Sequence, residues 1–387
     1  MSTALESQQA PGPYLAELPG KSDLRHEATN QPKVDGLVGE YIQTPAVRSQ
    51  LNCETLSRGR VYYCRRGRIA FALGSPFTSV ADFEAVTDEF ERSMAQQKLR
   101  CVYFGAENPQ AHRLATGRRR ILIGSQPILT INNWRALKAQ SAGLRAQINR
   151  GRRGMRFVPV RTSGRETIAG MRAEIRACLN AWIETRPAPP MGFAADARLS
   201  THLEYYHCVH AALNGKGEVM AYICLAALPV GNRFLAEHII RKPDAPNGVI
   251  EALCDHLLSD ENLPVDAQIS LGLTALSERY LVKRDKNPWS FRLMRWCARR
   301  WGNRFYNFAG LEAFRHRLCD VPWEPVFMLA DQRISMPELA VGLAHLFFWP
   351  TVTEASHNSG GRSLDQRAGV ELDGRMADDS SFLNISR

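Results

Sequence analysis

Between Gly59 and Ala330 the chain alternates stretches of two hydrophobic periods, and none of them can bury its apolar side alone. "GRVYYCRRGRIAFALGSP" reads as two strands joined by a turn at Arg65–Gly67. "VADFEAVTDEFERSMAQQ" has helical spacing, with Phe83, Val86, Phe90 and Met94 on one side. "RCVYFGAE" is a strand and "RRRILIGSQPILTI" holds another. "NNWRALKAQSAGLRAQINRGRRG" predicts one helix from about Asn133 to Gly151. A second run begins with the long helix "GRETIAGMRAEIRACLNAWIETRP". Strands "YYHCVHAAL" and "GEVMAYICLAALPV" follow, joined by a hairpin at Asn214–Gly217, and then "RFLAEHIIR". The helix "GVIEALCDHLLSD", the strand "AQISLGLTAL" and the helix "WSFRLMRWCARRWG" complete it. This alternation predicts an α/β (α+β) fold in two lobes, over 36–160 and 161–335.

The flanks read differently. Residues 1–35 and 354–387 are rich in small and polar residues with little periodicity, so disorder is expected there. The N-terminus carries no basic segment followed by an apolar one, so it is not read as a secretory signal. No apolar run reaches the roughly 20 residues of a spanning helix. The nearest, within 336–353, is either a packed terminal helix or one lying on a membrane surface. Nine cysteines are scattered without a CxxC pair, which suits reduced thiols in a cytoplasmic protein.

Charge narrows the partners. The formal net charge is +10, which favours polyanions. From His112 to Arg156 the chain has no Asp or Glu but carries Arg118, Arg119, Arg120, Arg150, Arg152 and Arg153. A second basic run holds Arg292, Arg295, Arg299 and Arg300 on one helix, whose Phe291, Met294, Ala298 and Trp301 form the apolar stripe. Solvated helix faces are one reading; a structured RNA or an anionic bilayer is the other.

Known catalytic signatures are missing. "HLEYYHCVH" brings His202, His207, Cys208 and His210 close in sequence, but without metal-site spacing, so packed strand histidines are expected and no metal. There is no GxSxG, P-loop or GxGxxG. The nearest match to the acetyl-CoA pyrophosphate loop, Arg161 to Glu166, fails at its last position.

The residues of "FALGSPFTS", "VYFGAE", "ILIGSQPILTINNWRAL", "HIIRKPDAPNGVIEAL", "ISLGLTAL", "FYNFAGLEAFRHRL" and "PWEPVFML" stand in a fixed order. In that order the chain resembles the phosphatidylglycerol lysyltransferase C-terminal domain family, over about Gly59 to Ala330. The resemblance implies two GNAT-like lobes, each a mixed, mostly antiparallel sheet flanked by helices, with the second lobe catalytic. It implies aminoacyl transfer from charged tRNA, a co-substrate with no other cofactor, to a hydroxyl of a phospholipid such as phosphatidylglycerol. The protein would then work in the cytoplasm, at the inner face of the cytoplasmic membrane, with charged tRNA and anionic phospholipid as partners. Relatives that aminoacylate small metabolites keep a soluble acceptor open, as does an acyl-CoA-dependent transferase on the same scaffold. A catalytically silent RNA- or membrane-binding protein is a further reading.

Roles follow by resemblance and by chemistry together. Arg241, at a strand end, is a candidate for holding a phosphate bidentately, or else a structural partner of Asp244. Asn247 and Gly248 open the next helix and could present backbone N–H groups to an anion, or form an ordinary turn. His238 is a candidate general base. It stands where the family often has a carboxylate, and Glu237 beside it would face the other way in a regular strand. Glu237 and Asp244, with Trp182, Ser270, Tyr306, Asn307, Arg315 and Arg317, are the candidates for substrate contact; the last two replace lysines common in the family.

Overall fold

The computed structural model describes residues 38–161, 165–186, 191–193, 196–228, 230–277, 279, 287–301 and 307–348. The segments 1–35 and 354–387, and Tyr306, lie outside the described residues. The chain begins with a short helix α1 (Pro45–Arg48) and strands β1 (Asn52–Leu56), β2 (Gly59–Arg66), β3 (Ile69–Leu73) and β4 (Phe77–Thr78). β2 and β3 pair as the expected hairpin, and Gly67 makes its turn at φ +57°. In α2 (Phe83–Gln96) the expected stripe of Phe83, Val86, Phe90 and Met94 is buried. Burying each such side chain stabilises the fold by about 1.5–3 kcal/mol. β5 (Arg100–Glu107), α3 (Asn108–Arg113) and β6 (Arg118–Gln126) follow.

Beyond β6 the chain departs from the sequence expectation twice. Pro127 has no N–H for a ladder. β6 therefore stops before it, and β7 (Ile128–Thr130) begins after it in a different sheet. The single helix expected from Asn133 to Gly151 is two, α4 (Ile131–Gln140) and α5 (Ala142–Arg152). Between them Ser141 is extended, and its hydroxyl accepts the Leu144 N–H at 3.1 Å. A serine that caps a new helix competes with continuation of the old one.

The remaining elements are β8 (Arg156–Arg161), α6 (Arg165–Glu184), β9 (Cys208–Leu213), β10 (Val219–Ala227) and β11 (Arg233–Arg241). Then come α7 (Val249–Leu257), β12 (Gln268–Ser270), β13 (Thr274–Ala275), α8 (Trp289–Trp301), α9 (Phe308–Leu318), β14 (Glu324–Asp331) and α10 (Met336–Phe348). The strand expected over "AQISLGLTAL" is thus split, with Gly272 at φ +84° in the gap.

Two mixed sheets result, as the fold class requires. One runs β1-β2-β3-β5-β14-β6-β13, with β4 beside β2; the other runs β7-β12-β11-β10-β9-β8. Most pairings are antiparallel; β3/β5 and β11/β12 are parallel. The strands do not divide at residue 160: β7 and β8 belong to the second sheet, and β14 returns to sit between β5 and β6 of the first. The physical cause is a double crossing. β6–Pro127–β7 and β12–Gly272–β13 pass from sheet to sheet side by side, paired at Ser270↔Ile128 and Thr274↔Ser125.

Three cores follow. Phe71, Val102 and Ile121 of the first sheet share one with Val209, Tyr222, Cys224 and Ile240 of the second. The other face of the second sheet packs on α4, α5 and α7, and the other face of the first on α2. α10 is a packed helix: Leu339, Gly342 and Leu346 are buried, and a Cβ at Gly342 would come 2.8 Å from the Phe71 ring. Among the described residues no helix is long and apolar enough to cross a membrane.

Candidate active site at the parting of two strands

β11 and β12 run side by side for three residues, Arg233↔Gln268, Phe234↔Ile269 and Leu235↔Ser270. Beyond Ser270 the chain leaves for the first sheet, while β11 continues without it. The root of this parting is fixed by charge. Arg233 pairs with Glu107, donates to Gly39 O at 2.8 Å and lies 4.0 Å over the Tyr41 ring. Glu40 beside it is fully buried, and burial together with the Glu107 carboxylate pushes its pKa up to about 8.

Just past the parting β11 carries a bulge. Cys224 pairs with His238 and Leu225 with Ala236, which leaves Glu237 as the extra residue. This corrects the expectation that Glu237 and His238 face opposite ways. Phe234, Ala236 and Ile239 pack on the core beside α7, whereas Ile240 belongs to the core between the sheets. The Glu237 carboxylate and the His238 ring both reach that inner side: Glu237 Oε1 is 3.5 Å from His238 Nε2, and the His238 ring meets Tyr206 edge-on at 6.1 Å. Burial, and next the charge of Glu237, hold the Tyr206 phenol well above its ordinary pKa.

Among the described residues, four polar atoms in this cluster are buried without a hydrogen-bond partner: both oxygens of Glu237, Nε2 of His238 and the hydroxyl of Tyr206. The Glu237 side chain is 3 % exposed. Buried polar atoms are normally paired, and an unpaired carboxylate is the most expensive exception. The cluster therefore has the chemistry of a receptor for a ligand that brings a cation and a hydrogen-bonding group. Tyr206 was not among the sequence candidates, since nothing in "HLEYYHCVH" distinguishes it from a core tyrosine.

The other bank of the parting is built by α9. Arg315 Nη1 donates to Gly272 O and Thr274 Oγ1, both at 2.9 Å. Ser270 Oγ accepts the Gly272 N–H at 3.0 Å and meets Gln126 Oε1 at 3.2 Å. Ser125 Oγ is a further buried atom without a partner among the described residues.

Other candidates lie elsewhere. Arg241 is exposed at the end of β11, and among the described residues it makes no ion pair with the exposed Asp244. Asn247 is exposed as well. Gly248 has φ +89°, and a Cβ there would stand 2.0 Å from Gln147 O; a Cβ on Gly151 would stand 2.1 Å from Gly248 O. The pair of glycines lets α5 and α7 touch backbone to backbone, which accounts for Gly248 without a ligand. Trp182 is half-buried against the core between the sheets, under the Arg186 guanidinium at 4.2 Å. Asn307 caps α9 by accepting the Gly310 N–H at 2.8 Å, and Arg317 lies 5.8 Å over Phe314.

The basic runs prove to be partly internal. Arg118 binds Glu91 at 2.7 Å, Arg119 donates to Ile334 O and Gln332 O, and Arg120 lies 4.4 Å over Phe327. Arg152 binds the buried Asp255 at 2.6 Å, and Arg299 binds Glu312 at 3.1 Å. Arg150, Arg153 and Arg300 are exposed, with no ion pair among the described residues. On the far face of β9, Cys208, His210 and Asp260 have ligand atoms within 4.8 Å of one another, and His210 Nδ1 meets His256 Nδ1 at 3.1 Å.

Comparison with known proteins agrees with this architecture. Residues 49–329 match the family described as phosphatidylglycerol lysyltransferase, C-terminal. The structure of L-PGS from Bacillus licheniformis superposes with a TM-score of 0.67 at 17 % identity, covering 86 % of this chain and 97 % of that one. The C-terminal domain (DUF2156) of a putative lysylphosphatidylglycerol synthetase from Agrobacterium fabrum gives 0.64 at 17 % identity, covering 80 % and 93 %. A conserved protein of unknown function from Bacteroides thetaiotaomicron gives 0.51 at 11 % identity, covering 80 % and 95 %. No curated protein matches the chain. The chain belongs to the phosphatidylglycerol lysyltransferase C-terminal family.

Proposed function

We propose that the protein transfers an aminoacyl group from charged tRNA to a hydroxyl of a membrane phospholipid such as phosphatidylglycerol. The observation that carries this is the unpartnered cluster of Glu237, His238 and Tyr206 where β11 and β12 part, in a chain of this family. Every aminoacyl ester carries an α-ammonium, and Glu237 is a buried carboxylate that no Lys or Arg pairs with among the described residues. The ester is already activated, so no covalent enzyme intermediate is needed; alignment supplies much of the rate. The acceptor hydroxyl oxygen bonds to the ester carbonyl carbon and gives its proton to His238 Nε2. The Tyr206 hydroxyl donates to the oxyanion that forms. The bond from carbon to the ribose oxygen then breaks, and His238 returns the proton to that oxygen. Arg241, exposed three residues on and roughly 10 Å further along the strand, holds a phosphate of the lipid or of the tRNA end.

The test is to incubate the protein with tRNAs charged, one at a time, with labelled amino acids, together with total lipid, and to separate the phases. Label in a phospholipid fraction supports the reading. Label on a water-soluble product moves the acceptor to a small metabolite, and label remaining on tRNA with every amino acid defeats it.

A further inference from the structure

We propose that the exposed face of α8 is a docking surface for an anionic lipid bilayer. The helix has two faces of opposite fate. Phe291 is buried, Met294 packs against the core between the sheets, and Arg299 turns inward to Glu312 and to Leu276 O at 3.1 Å. The outer side carries Trp289, Arg292, Leu293, Trp296 and Arg300, at positions i, i+3, i+4, i+7 and i+11, which form one stripe. On it Trp289 is 76 % exposed, Leu293 52 % and Trp296 58 %. No Asp or Glu occurs in the helix.

The sequence groups Arg292, Arg295, Arg299 and Arg300 as one basic run on this helix. Folded, the face is instead tryptophan, leucine and arginine interleaved. That mixture selects the occupant. Tryptophan settles at the headgroup layer, where its ring is half in hydrocarbon and its N–H in water. Arg292 and Arg300 meet lipid phosphates beside it. Leu293, central in the stripe, offers nothing to a nucleic acid but inserts between acyl chains. The location agrees. Arg299 ties α8 to Leu276, directly after β13, and Glu312 ties it to α9, which supplies Arg315 to the parting. A bilayer on the outer face of α8 would lie beside the bank of the candidate site. The choice of a bilayer rests on the lipid-acceptor reading above; adsorption itself requires no transfer.

The experiment sediments the full chain with phosphatidylcholine vesicles, with and without phosphatidylglycerol. Wild type is expected to sediment with the anionic vesicles and to be released by salt. W289S/L293S/W296S is expected to lose about tenfold or more of that affinity, since adsorption scales with the apolar area buried and the charge attracted. Wild type remaining in the supernatant overturns the proposal, as does a folded triple variant that sediments like wild type. Where the triple variant does not fold, brominated phosphatidylglycerol decides: it must quench wild-type tryptophan fluorescence and quench W289F/W296F clearly less. Equal quenching of the two overturns the proposal. Transfer is measured separately on detergent-solubilised phosphatidylglycerol. There the triple variant keeps the wild-type rate if α8 only docks, and loss of transfer in micelles as on vesicles overturns the proposal by placing the face in the reaction site. Absence of transfer by wild type in micelles counts against the proposed function alone, because sedimentation still reads the docking.

Discussion

Replacing Asp255 by alanine should loosen α5, the helix that carries the exposed Arg150. Asp255 lies on α7 with its side chain 3 % exposed. It accepts the Trp134 indole N–H at 2.8 Å, Lys138 Nζ at 2.7 Å and Arg152 at 2.6 Å, and so joins α4, α5 and α7. Alanine leaves the buried indole N–H without an acceptor, a cost of about 1–3 kcal/mol. The two ion pairs are worth less than their short distances suggest, because Lys138 and Arg152 are partly solvated; about 1 kcal/mol each is appropriate. The sum is about 3–5 kcal/mol, which at an unfolding entropy of about 2.1 cal/mol/K per residue lowers Tm by roughly 4–8 °C. Asparagine keeps an acceptor for the indole and loses only the charge, so it should cost about 2 kcal/mol. Urea titration of both variants, followed by circular dichroism, measures the difference. The reasoning is refuted if alanine and asparagine are equivalent, or if alanine falls within about 0.5 kcal/mol of wild type.

Glu237→Gln should abolish transfer, by about a hundredfold or more, yet leave Tm unchanged or higher, since it removes a buried charge with no hydrogen-bond partner among the described residues; a clear fall in Tm would mean that the carboxylate is structural. Gly248→Ala should cost about 3 kcal/mol in urea, from its positive φ and from overlap with Gln147 O; normal stability with lost transfer would instead restore Gly248 to the reaction. Glu40 has a folded pKa raised to about 8 against an ordinary 4.5. Its contribution to stability is therefore full below about pH 4.5 and lost as pH rises through about 8, by a few kcal/mol; Tm measured across that window should fall in wild type and fall less in Glu40→Gln. Neutralising Arg150 and Arg153 together should lower the salt dependence of tRNA binding by about one to two units of slope, and an unchanged slope would place the tRNA elsewhere.

Much of the fold was legible because burial leaves a period. The α2 stripe, the β2–β3 turn and the Asn214–Gly217 hairpin follow from local chemistry, and each is found where expected. Two of the strand boundaries that failed share a cause. Pro127 and Gly272 each looked like an interruption within one strand, but both are points where the chain changes sheet. That exchange is a long-range fact: β7 pairs with β12 and β13 with β6, and no short window of sequence contains either pair. Charge failed in a similar way. Arg118, Arg119 and Arg299 were counted as surface cations, but their acceptors lie on elements distant in sequence.

The candidate site shows the same limit at one residue. A carboxylate belongs near the parting of the strands if the ligand there carries an ammonium, yet His238 occupies the position expected for it. Regular alternation would then exile Glu237 to the α7 side, where Phe234, Ala236 and Ile239 pack. One extra residue in β11 removes the conflict. The bulge puts Glu237 and His238 on the same side, so the strand presents an anion and a base together. Two roles that a regular strand could give only to residues two apart are held by neighbours. A bulge interrupts the β10–β11 ladder, and here it also strands a carboxylate, an imidazole nitrogen and a phenol away from water. Neither cost improves the fold. Their coincidence where β12 departs is the physical reason to place the ligand there.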